Sequence, residues 1–124
     1  MDIERVGRRL FRATGLICLA TVVVLSVLPG AERPHILASG NTEHFIAYAG
    51  TAFFASSLPR LDGWRTLLLL SSASLAFEGV QLFIPGRSAG LDNWLASTTG
   101  ALVGIALAAA LKTLTRSKRQ LASR

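Results

Sequence analysis

Apolar and polar positions divide this chain on a coarse scale. Four long apolar runs, over residues 10–28, 43–58, 64–84 and 92–111, are separated by short polar stretches. The runs stop at Pro29-Gly30, Pro59, Pro85-Gly86 and Lys112. Proline lacks the amide proton that continues a helical ladder, so the proline stops read as helix ends. Crossing about 30 Å of hydrocarbon takes about 20 helical residues. Three runs meet that length, while 43–58 is short and must thin the bilayer or be sheltered by its neighbours. The pattern predicts an all-α protein: a four-helix transmembrane bundle forming one domain over residues 1–124, with 112–124 as a basic tail. A basic flank before an apolar core also describes a cleaved secretory signal. No small-residue cleavage pattern follows residue 28, so the first run reads as a retained span.

Charge adds a direction to this picture. The chain has 13 Lys and Arg against 7 Asp and Glu, a net charge of +6, and only 16% charged residues. Soluble domains carry about 25%. The basic residues cluster at the ends: Arg5, Arg8, Arg9 and Arg12 precede the first run, and Lys112, Arg116, Lys118, Arg119 and Arg124 follow the last. A nucleic-acid binder would spread such residues along a face with aromatics between them. Here they flank spans. With the N-terminus inside, eleven basic residues are cytoplasmic and two, Arg33 and Arg87, are outside. Basic residues favour the cytoplasmic side, so both termini are expected there, in a multi-pass protein of the cytoplasmic (inner) membrane. Cys18 is the single cysteine and excludes an intrachain disulfide; inside an apolar run it reads as a small hydrophobe.

Polar residues inside the runs carry the candidate chemistry. His44 and Tyr48 are four residues apart and share a helix face near the outer end of the second span. Glu78 and Gln81 share a face near the outer end of the third. Glu78 lies seven residues before Pro85, about 10 Å along the helix. Arg87 follows in the loop, and Asp92 and Asn93 open the last span. Asn93, Ser97, Gly100 and Gly104 then form one stripe. A carboxylate facing lipid costs about 2.5–3.5 kcal/mol or more, so Glu78 should turn inward, with His44, Tyr48, Arg87 and Asn93 as partners. Each feature also has a plainer role. Glu78 could serve an ion pair that fixes packing. His44, Tyr48, Trp64 and Trp94 could anchor span ends at the interface, and Arg87 could meet lipid phosphate. Gly100 and Gly104 read as helix packing. His44 and Glu78 fall short of the three or four ligands of a zinc site, and no G-x-S-x-G nucleophile elbow occurs.

The spacing H44-F-I-A-Y48, then E78-G-V-Q81-L-F-I-P85-G-R87-S, then N93-W-L-A-S97-T-T-G100, resembles the VanZ-like membrane proteins, whose founding member is associated with resistance to the glycopeptide teicoplanin. The resemblance covers about residues 40–105, and the E-x-x-Q-x-x-x-P-x-R element is its most specific part. The family pattern has Asp-Lys ahead of the histidine, where this chain has Gly40-Asn41. It also has Asp and Asn opening the last span, where this chain has Asn93, with Asp92 beside it, and Ser97. The resemblance implies a small integral membrane protein of the cell envelope.

Residues and resemblance together lead to the expectation of an outward-facing polar pocket. His44, Tyr48, Glu78, Gln81, Arg87, Asp92, Asn93 and Ser97 would bind a polar or anionic lipid headgroup or lipid-linked envelope precursor, modulating envelope physiology or glycopeptide susceptibility. Membrane lipid is the expected partner; no cofactor, metal or nucleic acid is expected. Two other classes compete: an enzyme acting on a lipid-linked substrate with Glu78 and His44 as acid and base, and a structural protein whose polar cluster only fixes helix packing.

Overall fold

The structure is a computed structural model that describes residues 3–32, 39–56, 58 and 61–122. Arg33, Pro59, Arg60 and Arg124, which entered the reading of charge and span ends, lie outside the described residues. Four α-helices follow in order: α1 Ile3–Val27, α2 Gly40–Ala55, α3 Gly63–Gln81 and α4 Leu91–Ala122, with a 3-10 turn at Gly30–Glu32. No strand occurs among the described residues.

The apolar runs locate the helices, and the differences lie at their ends. α1 and α4 run outward through their basic flanks, because arginine and lysine are good helix formers and nothing there breaks the ladder. Residues 112–122 of the basic tail are thus a continuation of α4. Asp62 caps α3, its side chain accepting from the Arg65 amide at 3.1 Å. At its other end α3 stops at Gln81, three residues before the end of the apolar run at residue 84. Phe83 N to Val80 O, Ile84 N to Gln81 O and Arg87 N to Ile84 O then make successive three-residue turns. Proline disfavours helical backbone in the residue before it, which fits this early unwinding ahead of Pro85. Glu78 consequently stands in the last turn of α3, nearer the helix end than the 10 Å read from the run.

Four helices form the bundle, and α2 and α4 make its most extensive interface. That closeness is set by two glycines one turn apart. A Cβ at Gly100 would run into the Phe45 carbonyl, and one at Gly104 into the Ala49 carbonyl. Ala52, Ala55, Ala101 and Ala108 complete the seam as buried small residues. α1 packs on α2, with Gly15 against the Phe54 backbone and Phe11 against the rings of Phe53 and Phe54 at 5.6 and 4.7 Å. α3 packs mainly on α4, joined by Ser71 Oγ to Thr98 Oγ1 at 2.9 Å.

The burial pattern is inverted relative to a soluble domain. The largest fully buried side chains are Gln81, Thr51, Thr66, Ser74 and Ser97, all polar. Leu16, Ile17, Leu68, Leu75, Leu102 and Leu107 point outward and are exposed. In water so much apolar surface would associate; in lipid it is solvated, and small or polar residues form the helix contacts. Among the described residues, Arg5–Val27 and Leu91–Ala122 are long and apolar enough to cross a bilayer by themselves. α2 has 16 residues, about 24 Å at 1.5 Å each. α3 has 19, interrupted by Ser71, Ser72, Ser74, Glu78 and Gln81. The sequence pattern counts four spans, but only two qualify on their own. α2 is too short, and α3 spends its buried face on polar groups.

Candidate functional site

The close of α1, the start of α2 and the connection between α3 and α4 lie at one end of the bundle, here the loop end. The other, the terminal end, holds the start of α1 and the close of α4. Seven of the eight sequence-selected polar residues gather at the loop end around two acceptors.

The first acceptor is Glu78, only 6% exposed. Its Oε2 accepts from the Gly90 backbone N–H at 2.7 Å and from Asn93 Nδ2 at 3.4 Å. Both bonds fall on one oxygen, so Oε1 receives no hydrogen bond among the described residues. Asn93 Nδ2 also donates to the Ser88 carbonyl at 3.3 Å, which ties the loop down before α4 begins. Position 93 is therefore a donor to a carboxylate. An aspartate there, as in the family pattern, would place two acids together and require a shared proton.

The second acceptor is the Ser26 carbonyl in the last turn of α1. Gln81 Nε2 donates to it at 3.0 Å and Arg87 donates at 3.4 Å. Carbonyls in the last helical turn have no intrahelical donor, and a cation beside them complements the helix dipole. A backbone bond from Gly30 N to the Pro85 carbonyl, 3.1 Å, joins the two loops beside this contact. They approach so closely that a Cβ at Gly30 would collide with Gly86, which itself holds a left-handed φ of 73°.

The buried Tyr48 lies between the two acceptors, its hydroxyl near Ser74 of α3 and Ser26 of α1, with Glu78 close by. Its ring lies 6.4 Å from the His44 ring at an interplanar angle of 20°. His44 Nδ1 is 3.3 Å from Ser97 Oγ. Ser97 Oγ also donates to the Asn93 carbonyl at 2.9 Å. A hydroxyl has one proton, so Ser97 accepts from His44 and Nδ1 carries the hydrogen. Asp92 is the eighth residue and stands apart at the rim. It is exposed, and its Oδ2 accepts from Asn41 Nδ2 at 3.1 Å. Asp92 thus does not take the place of an aspartate at position 93.

Several participants were not legible in the sequence. Ser26 is a small polar residue in an apolar run, Ser74 is one of three serines at 71, 72 and 74, and Gly90 acts through its backbone, which no residue type announces. Ser74 lies four residues before Glu78, a spacing that could have flagged it. Trp94 has partners that its suggested place at a span end did not announce. It is half-buried, and its indole N–H lies 3.2 Å from the Ser71 carbonyl and 3.1 Å from Ser71 Oγ. Trp64 is exposed, with the Arg65 guanidinium 5.5 Å from its ring.

The other half of the bundle sharpens the contrast. There the helices meet through Ala52, Ala55, Ala101, Gly104 and Ala108, and Lys112 of α4 donates to the Ser56 carbonyl at the close of α2.

An inverted all-α bundle with two bilayer-length apolar helices and a buried polar cluster at one end defines a small helical membrane protein. The chain belongs to the VanZ/LLP1 family, whose profile matches residues 7–112. The match takes in all of α2 and α3 and nearly all of α1, which supports α1 as an integral part of the fold. No protein of curated function and no solved structure gives a match.

Proposed function

We propose that this VanZ-like membrane protein is a multi-pass protein of the cytoplasmic membrane, with both termini in the cytoplasm. Its loop-end cluster binds the polar or anionic headgroup of a lipid or lipid-linked cell-envelope precursor. The observation that carries this reading is Glu78: a carboxylate almost wholly buried, yet with one oxygen that receives no hydrogen bond among the described residues. A hydroxyl, amide or amine of a headgroup would supply that donor. The Arg87 guanidinium donates to the Ser26 carbonyl beside the cluster, and its positive charge favours phosphate or carboxylate nearby. The sidedness rests on charge: Arg5, Arg8, Arg9, Arg12, Lys112, Arg116 and Lys118 all fall at the terminal end. Crossing by α2 and α3 is supported by their contacts with α4 and α1, which shelter their polar faces from lipid. Binding of an envelope precursor would give the protein a route to altering envelope physiology and glycopeptide susceptibility.

A structural reading has an observation of its own. The Gly90 N–H and the Asn93 amide both close the loop onto Glu78, so the carboxylate also holds the fold together. One experiment separates the two. Purified protein in nanodiscs is titrated with a fluorescent lipid-linked cell-wall precursor, using wild type, Glu78→Gln and Arg87→Lys. Hydrogen bonds to charged groups are worth about 1.5–3 kcal/mol, so Glu78→Gln should weaken binding roughly ten- to hundredfold. Equal binding by all three proteins, with only stability altered, would leave the structural role alone.

A further inference from the structure

At the terminal end, away from the cluster around Glu78, the backbones of α1 and α4 stay apart among the described residues. The gap leaves a cleft of about 400 Å³ lined by Gly7, Arg8, Phe11, Arg12, Ser56 and Lys112. Half of these six residues are cations and none is an acid. Lys112 is already oriented: its Nζ donates to the Ser56 carbonyl at 2.9 Å, at the end of α2, which leaves two ammonium protons for another acceptor. Arg8 and Arg12 stand one turn apart on a single face of α1 and are exposed. A second hollow of about 180 Å³ shares Phe11 and Lys112 with the cleft and is otherwise lined by Phe53, Ala108, Leu111 and Thr115. A cationic chamber therefore adjoins an almost wholly apolar one.

We propose that this pair of hollows is a binding site for one anionic phospholipid. The phosphate lies among Arg8, Arg12 and Lys112, and an acyl chain follows the apolar hollow past Phe11 and Phe53. The charge selects an anion, and the adjoining apolar hollow selects a lipid over a soluble phosphate. Basic pockets between membrane helices hold anionic headgroups in this way. The site is independent of the loop-end cluster, and each stands if the other fails.

Native mass spectrometry of the full chain in detergent tests this, with phosphatidylglycerol and phosphatidylcholine as probes. Phosphatidylglycerol should bind at least about tenfold more tightly. At about 1 kcal/mol per cation near a phosphate, each of Arg8→Gln, Arg12→Gln and Lys112→Gln lowers its affinity about fivefold, and the triple variant on the order of a hundredfold. The control Arg116→Gln with Lys118→Gln, which removes two charges outside the cleft, should leave affinity unchanged. Arg8→Lys with Arg12→Lys keeps the charge and should retain binding, which guards against misreading a folding defect. Equal affinity for the two lipids, or a loss in the control as large as in the cleft variants, overturns the site. Displacement of phosphatidylglycerol by equimolar inorganic phosphate would make the cleft a soluble-anion site and overturn the lipid assignment.

Discussion

Substituting Gly100 by alanine tests how tightly packing and the polar cluster are coupled. Gly100 and Gly104 bring α4 against the Phe45 and Ala49 carbonyls of α2, two acceptors that are themselves one turn apart. A Cβ at position 100 would overlap the Phe45 carbonyl, and backbone cannot swing aside as a long side chain can. To restore an ordinary carbon–oxygen separation, α4 must retreat by roughly 1 Å. Forced overpacking of this kind costs about 1–3 kcal/mol. The same retreat draws Ser97, one turn earlier on α4, away from His44, where the bond is already 3.3 Å. Gly100→Ala should therefore be destabilised and should also release the His44 ring. Adding Gly104→Ala should cost less than it does alone, because the helices have already parted; contacts that share one displacement are not additive. Gly79→Ala is the control. Nothing lies within 4 Å of its Cβ position, so the helix gains up to about 1 kcal/mol from alanine. Unfolding in mixed micelles of rising SDS fraction, followed by tryptophan fluorescence, measures stability, and the chemical shift of labelled His44 reports the ring. A Gly100→Ala protein within about 0.5 kcal/mol of wild type, or a fully additive double variant, would refute the close-packed seam.

Two further predictions use the same unfolding assay. Glu78→Leu strands the Gly90 N–H, an orphan costing about 1–3 kcal/mol, and leaves the Asn93 amide with the Ser88 carbonyl, whereas Glu78→Gln keeps an oxygen for Gly90 and should cost about 1 kcal/mol. If the two variants unfold alike, Glu78 does not hold the loop. Thr66 is fully buried and its hydroxyl has no hydrogen-bond partner among the described residues. Thr66→Val should then be neutral or stabilising by up to about 1 kcal/mol, since replacing an unpaired polar group by an apolar one of the same shape removes a desolvation penalty; a marked loss of stability would show that the hydroxyl is bonded.

The sequence by itself determined that this is a helical membrane protein and where its helices lie. Apolar run length and proline or glycine stops are local, and a bilayer leaves the backbone little choice but to satisfy itself within each helix. It also marked His44, Tyr48, Glu78, Gln81, Arg87, Asn93 and Ser97 as inward-facing, because the cost of exposing them to hydrocarbon is intrinsic to the residue. Only the tertiary structure decided what each one meets. Glu78 is held by a backbone N–H at Gly90, Gln81 and Arg87 converge on a carbonyl of α1, and Asp92 turns to Asn41 while its neighbour Asn93 takes the inner place. These pairings depend on loop turns and on how far glycine lets α4 approach α2. A one-residue rotation at a helix start swings a side chain by about 100°, since a turn takes 3.6 residues. Position along the chain fixes depth in the bundle, but the partner is fixed by contact, and contact is a property of the packed whole.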